Sequence, residues 1–151
     1  MTFHCFVFCL LVVQTIWGQS EKFVGDYGVL HEATNGRIEY KLSLCTDGTF
    51  LFHSYSKHDG GIPLETNKYG RGNWSAEKRI ISFWAEKKLD VDDSHVLDFN
   101  NTKARFKSKS PRNVSARTIK TSLIFYSSGI FWVKGMELFK NRNIIRRNLN
   151  L

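Results

Sequence analysis

Hydrophobic and polar residues alternate strictly between positions 38 and 44, with apolar residues at the even positions and polar residues at the odd ones. Successive side chains of a β-strand point to opposite faces, so this pattern predicts a strand with one buried face. An Asp47-Gly48 pair follows, and such a pair tolerates the positive φ of a tight turn. The alternation then resumes over 50–55. We therefore predict a β-hairpin over 38–55.

Segments with the same period recur along the chain, at intervals of roughly 10 to 15 residues that are typical of antiparallel β-proteins. The additional predicted strands are 23–30, 69–76, 79–85, 95–99, 103–107, 119–127 and 130–139. Strands joined by short connections avoid exposed edges most simply by closing into a barrel. The predicted fold is an all-β, antiparallel, up-and-down barrel of about eight to nine strands.

An apolar segment covers residues 6–17 and ends at Gly18. It is shorter than the roughly 20 residues that a membrane-spanning helix requires, and its position is typical of a secretory signal peptide. We therefore predict a signal peptide at 1–18, a barrel domain at 19–140 and a basic carboxyl-terminal tail at 141–151. This division predicts a secreted or periplasmic protein without a membrane span.

The cysteines also bear on how the domain is stabilised. Cys5 and Cys9 fall within the predicted signal peptide, which leaves Cys45 as the one cysteine of the predicted barrel. A lone cysteine cannot form an intramolecular disulfide, so we expect the hydrophobic core to hold the domain together. Twelve Phe, five Tyr and four Trp residues supply large side chains for that core.

Short motifs in the first half of the predicted barrel resemble those of a known family. Gly25 and Tyr27 form a Gly-x-Tyr sequence on the first predicted strand, and Gly72 and Trp74 form a later Gly-x-Trp sequence. Together with the hairpin over 42–50, they resemble small lipocalin-like domains that are common in exported proteins of Bacteroidetes-type bacteria. The resemblance implies a barrel whose interior can hold a small apolar molecule.

The first functional hypothesis is therefore a secreted carrier of a small apolar ligand. The large side chains expected to line its cavity are Tyr40, Leu42, Phe50, Phe52, Trp74 and Phe83. A barrel of about eight strands leaves room either for packed side chains or for one small ligand. An unfilled cavity would favour the carrier, and a filled interior would favour a protein that acts through its surface.

Charge suggests an alternative. Lys and Arg outnumber Asp and Glu by 22 to 14, for a formal net charge of +8, which favours anionic partners. The candidate residues for binding such a partner are Lys103, Arg105, Lys107, Lys109 and Arg112. The alternative function is an extracellular or periplasmic interaction module that binds an anionic polymer, such as an acidic polysaccharide, through basic and aromatic side chains. Export argues against a genetic role in nucleic-acid binding.

Motifs for catalysis are missing from the sequence. It contains no Gly-x-Ser-x-Gly elbow and no phosphate-binding loop. His53 and His58 are five residues apart, but zinc requires three or four converging ligands. The acidic segment 90–95 lacks the glycine and the terminal glutamate of an EF-hand loop. We therefore predict no catalytic residue, no metal site and no cofactor.

Overall fold

The computed structural model of the chain describes residues 21–86 and 88–141. Its strands are β1 (Gly25–Ala33), β2 (Gly36–Leu44), β3 (Thr49–His58), β4 (Glu65–Glu77), β5 (Ile80–Trp84), β6 (Thr102–Lys107), β7 (Ser122–Ser127) and β8 (Glu137–Lys140). Each strand pairs antiparallel with the next, and β8 pairs with β1, so the sheet closes into a barrel. The predicted all-β, up-and-down barrel is confirmed. The predicted signal peptide and all of the predicted tail except Asn141 lie outside the described residues.

The hairpin predicted from the alternation is present as β2 and β3, which pair in register along their length. In its turn, the backbone N–H of Gly48 donates to the carbonyl oxygen of Cys45 at 3.2 Å, and Gly48 has a φ of 84°. The Asp47 carboxylate accepts hydrogen bonds from the hydroxyl of Thr49 at 2.6 Å and from its backbone N–H at 2.9 Å. These bonds lower the pKa of Asp47. The Asp-Gly pair thus supplies both the positive φ and the side-chain acceptor of the turn.

Two predicted strands take a different form in the structure. Residues 95–99 join no ladder and belong to the connection between β5 and β6. Leu97 and Phe99 are nevertheless buried in the core, so the alternation of this segment reflects burial rather than strand pairing. Of the predicted strand at 130–139, only the part from Glu137 onward belongs to β8, because turns occupy the residues before it.

Aromatic side chains fill the interior of the barrel. The ring centroid of Phe99 lies 5.2 Å from that of Phe50 and 5.0 Å from that of Phe52, distances at which aromatic rings attract each other. Gly70 on β4 leaves room for this ring, since a Cβ there would lie 2.7 Å from a Phe99 ring carbon. The β5–β6 connection therefore places a side chain inside the barrel and packs the interior.

The two halves of the barrel have strands of different length. Strands β1 to β4 have 9 to 13 residues, whereas β5 to β8 have 4 to 6. β1 pairs with β8 only at Tyr27 and Gly28, and β4 pairs with β5 only from Asn73 onward. The long strands therefore extend beyond the short ones at the end of the β1–β2 turn. We call this extension, residues 29–40 and 54–68, the projecting wall.

Gly72 on β4 is required by the close approach of β5. A Cβ at this position would lie 2.3 Å from the carbonyl oxygen of Trp84, whereas a Cβ at Gly129 would meet no atom within 4 Å. We expect Gly72→Ala to lower the free energy of unfolding by about 2 kcal/mol, because the backbone must shift to admit the methyl group. Gly129→Ala is the matched control and should change it by less than about 0.5 kcal/mol. Urea unfolding measures both, and equal effects would contradict this packing.

Tyr27 on β1 is buried, and its hydroxyl donates a hydrogen bond to the carbonyl oxygen of Phe23 at 2.5 Å. Burial raises the pKa of Tyr27 above its ordinary value of 10.0. In the unfolded chain this phenol ionises near the ordinary value. Above about pH 10 the unfolded state therefore binds fewer protons than the folded state, and stability falls as the pH rises.

We expect Tyr27→Phe to destabilise the barrel by about 1 kcal/mol at neutral pH, through loss of the hydrogen bond. The difference between the two proteins should shrink above about pH 10, because only the wild-type protein has this ionisation to oppose folding. Urea unfolding at a series of pH values measures the difference. A difference that stays constant or grows at alkaline pH would contradict the prediction.

Candidate ligand-binding site

An open pocket of about 520 Å³ lies against the inner face of the projecting wall. The β3–β4 connection borders it on one side, and Trp132 from the β7–β8 connection lies among its lining residues. Strands β2, β3 and β4 contribute Ile38, Tyr40, Ser54, Ser56, His58, Thr66 and Lys68. The pocket volume falls within the range of roughly 300 to 1,000 Å³ that is typical of small-molecule sites.

The inner face of the wall changes from apolar to polar toward the pocket. Inside the barrel, Leu42 pairs with Phe52, and Phe52 pairs with Gly70. Two rows of inward residues follow toward the open end: Tyr40, Ser54 and Lys68 in the first, and Ile38, Ser56 and Thr66 in the second. Neighbouring strands lie about 4.8 Å apart, so side chains of adjacent strands within a row can contact the same small ligand.

Two aromatic rings form the apolar part of the pocket. The centroids of Tyr40 and Trp132 lie 5.6 Å apart, with the ring planes inclined by 21°. Phe52 supports both rings from the core, with its centroid 6.3 Å from that of Tyr40 and 6.1 Å from that of Trp132. Burial raises the pKa of Tyr40, so its phenol is neutral at physiological pH and can donate a hydrogen bond.

Lys68 supplies the fixed positive charge of the pocket. Its side chain forms no ion pair or hydrogen bond with any residue that the structure describes. None of the pocket residues is an Asp or a Glu. Glu65, the nearest acidic residue along β4, points to the other face of the sheet and pairs with Lys57 at 3.7 Å. The Lys68 ammonium is therefore not neutralised within the described structure.

The structure places the six predicted cavity residues in two different environments. Only Tyr40 lines the pocket. The other five are buried in the packed core, and they are Leu42, Phe50, Phe52, Trp74 and Phe83. Trp74 lies near the opposite end, where its indole N–H donates to the carbonyl oxygen of Cys45 in the β2–β3 turn at 3.1 Å.

The polar pocket residues were missed in the sequence, although one indication of them was present. Ser54 and Ser56 continue the inward positions of β3 after Phe52, so the strand carries hydroxyls where its period calls for apolar side chains. Lys68 shows the same exchange on β4. Trp132 falls in the part of the predicted strand 130–139 that forms turns instead, so the predicted period did not place it in the pocket.

The predicted anion-binding residues lie on the outside of the short strands. Lys103, Arg105 and Lys107 occupy the exposed alternate positions of β6. Exposed aromatic side chains accompany them on both neighbouring strands, with Trp84 on β5 and Tyr126 on β7. The guanidinium carbon of Arg105 lies 5.9 Å from the centroid of the Tyr126 ring, a distance suited to a cation–π contact. We call these five residues the basic face.

Some of the predicted basic side chains already have partners. Lys107 pairs with Glu137 at 3.5 Å, and Lys109 donates to the carbonyl oxygen of Ser115 at 2.9 Å. Arg112 is exposed in the β6–β7 connection, next to the basic face along the chain but outside its strands. Lys103 and Arg105 are therefore the positions whose charges are most available to a partner.

The histidine and acidic segments do not form a metal site in the described structure. The ring of His53 stacks on Tyr69 at 4.5 Å, whereas His58 lies on the opposite face of β3 and lines the pocket. Asp92 accepts a hydrogen bond from Arg71 at 3.1 Å, which fixes the β5–β6 connection to β4. Among residues 21–86 and 88–141, no three His, Cys, Asp or Glu side chains converge, and no helix is long and apolar enough to cross a membrane.

Three comparisons with known proteins were made, against family models, curated proteins and solved structures. No family model matches the chain, and neither search finds a matching protein or structure. The barrel and the pocket described above are therefore the basis of the functional proposal.

Proposed function

We propose that the chain is a binding protein that holds one small molecule at the open end of its barrel. The observation that supports this most directly is the open pocket of about 520 Å³, which has polar side chains at the inward positions of long strands. Small-molecule sites combine an apolar surface with a few polar groups that fix orientation. Tyr40 and Trp132 provide the apolar surface. Ser54, Ser56 and Lys68 provide the polar groups.

The fold alone does not require these polar residues. Ser54 is buried, and an apolar side chain in its place would remove more apolar surface from water and would strengthen the wall. Hydroxyl and ammonium groups at these positions can instead form hydrogen bonds with a ligand. The buried hydroxyl of Ser54 is therefore better explained by binding than by stability.

The carrier hypothesis therefore applies to the open end of the barrel and not to its packed core. Tyr40, Trp132 and Ile38 offer apolar surface to a ligand with apolar character, as the lipocalin-like resemblance implies. The predicted cavity residues that lie in the core form the cluster against which Tyr40 and Trp132 pack. The apolar amino-terminal segment of the sequence supports an action outside the cytoplasm, as a secreted or periplasmic protein.

Native mass spectrometry of the protein purified from its own host tests this function. We expect an additional bound mass on the wild-type protein and its loss in Ser56→Phe, because the larger side chain fills the pocket. Ser75→Phe is the matched control, since Ser75 is exposed on β4 and distant from the pocket lining, and it should retain the bound mass. No bound mass on the wild-type protein, or equal occupancy in the two variants, would refute the proposal.

A second candidate function is binding of an anionic polymer, such as an acidic polysaccharide, to the basic face. It is favoured by the exposure of Lys103 and Arg105 between two exposed aromatic rings, Trp84 and Tyr126. Aromatic faces pack against sugar rings while basic side chains meet acidic groups. The interior beneath this face is filled, so this function would need no cavity.

Salt-dependent elution from immobilised heparin tests the second candidate. We expect the double variant Lys103→Glu with Arg105→Glu to elute at lower salt, with the salt slope reduced by about one for each lost contact. Lys88→Glu with Lys134→Glu is the matched control, because it removes the same charge from exposed connections that belong to neither proposed site. Equal losses in the two double variants would indicate attraction by net charge alone and would reject this candidate.

A further inference from the structure

The proposed function does not specify the chemical class of the ligand, but the side chains that line the pocket favour one class. Resting on that function, we infer that the ligand is a small organic anion with a flat apolar body, whose charged group binds Lys68 and whose body lies against Tyr40 and Trp132. Carboxylates, sulfonates and phosphates share the required chemistry of several acceptor oxygens and a negative charge.

The pocket lining contains a lysine and no acidic side chain. Lys68 lines it without a partner among the described residues, and the pocket residues include no Asp or Glu. A lysine ammonium has three donors and no acceptor, so an unpaired one favours a ligand that brings acceptor oxygens. A neutral apolar ligand would leave this charge without a partner.

Three hydroxyl-bearing residues line the pocket at ladder positions next to Lys68. Ser54 lies beside Lys68 across the β3–β4 ladder, and Thr66 is the next inward residue of β4 beyond Lys68. Ser56 pairs with Thr66, which completes a group of three hydroxyls on two adjacent strands. Each hydroxyl can donate to the same charged group that meets Lys68, and hydrogen bonds to an ionised acceptor are the stronger kind.

The preference for a ligand with a flat body follows from the two aromatic rings that line the pocket. Tyr40 and Trp132 are nearly parallel, inclined by 21°, and both line the pocket. Tyr40 and Lys68 flank Ser54 in the same row of the wall, one on each neighbouring strand. Two strand spacings, about 10 Å in all, separate these two positions, so a ligand of about that length can contact the rings with one end and the ammonium with the other.

A cationic ligand is the main competing class, because aromatic rings also bind cations. Such a ligand would approach an unpaired ammonium in a pocket without a carboxylate, and the two like charges would repel each other. The same two rings therefore favour a flat anion over a cation.

Two fluorescent probes with the same aromatic body test the inference on the full chain. The probe 1-anilinonaphthalene-8-sulfonate is anionic, and N-phenyl-1-naphthylamine lacks the sulfonate and is neutral. We expect the anionic probe to bind about tenfold more tightly, and Lys68→Gln to weaken its binding by about tenfold while changing that of the neutral probe less than about twofold. Trp132→Ala should weaken the binding of both probes.

Lys78→Gln is the matched control, because Lys78 is exposed in the β4–β5 turn at the opposite end of the barrel. It should leave the binding of both probes unchanged. Thermal unfolding of each variant checks that the barrel is intact, which we expect because Lys68 and Lys78 are both exposed.

Equal affinity for the two probes, or an equal loss in Lys68→Gln and Lys78→Gln, would overturn the inference. Anionic-probe binding that persists in Trp132→Ala would also overturn it, because the probe would then bind elsewhere. Absence of binding by either probe would overturn it as well. In all these cases the bound mass seen by native mass spectrometry, and its loss in Ser56→Phe, would decide the proposed function separately.

Discussion

The packing of Phe99 inside the barrel is the interaction on which the rest of the structure depends. Its ring comes from a connection rather than a strand, contacts Phe50 and Phe52, and fits because Gly70 has no side chain. It gives the short strands a filled interior to close around. Phe52 connects this packing to the pocket, because its ring lies 5.0 Å from Phe99 and 6.1 Å from the pocket residue Trp132.

The barrel could be predicted from the sequence because each hairpin strand buries one face. Apolar residues then occur at every second position of the strand, and this pattern is visible in the sequence. The hairpin of β2 and β3 was predicted correctly, including its Asp47-Gly48 turn. Residues 95–99 show the limit. A connection that runs along the barrel also alternates between interior and solvent, so Leu97 and Phe99 show the pattern of a strand, although Leu97 donates one backbone hydrogen bond to Tyr69 of β4 and the segment forms no ladder.

The site could be predicted only in part, for a related reason. Alternation places Tyr40, Leu42 and Phe52 on one inner face, but only Tyr40 reaches the pocket. The difference depends on how far β5 and β8 extend opposite the long strands, and this is a property of pairing between distant segments. The serines at inward positions of β3 were the local indication that the apolar interior ends there.

The projecting wall lacks the apolar core that holds the rest of the barrel, so its stability must come from its ladders. Within the wall, five residue pairs join β1 to β2, five join β2 to β3 and four join β3 to β4. The ion pairs on its outer face, such as Lys57 with Glu65 at 3.7 Å, are exposed and contribute little. Because backbone hydrogen bonds do not depend on side-chain polarity, the inner face can carry hydroxyls and a lysine without loss of the sheet. The filled half differs, because the basic side chains of β6 all lie outside and its inward polar residues are the small Thr102 and Ser122. The pocket and the basic face can therefore change independently.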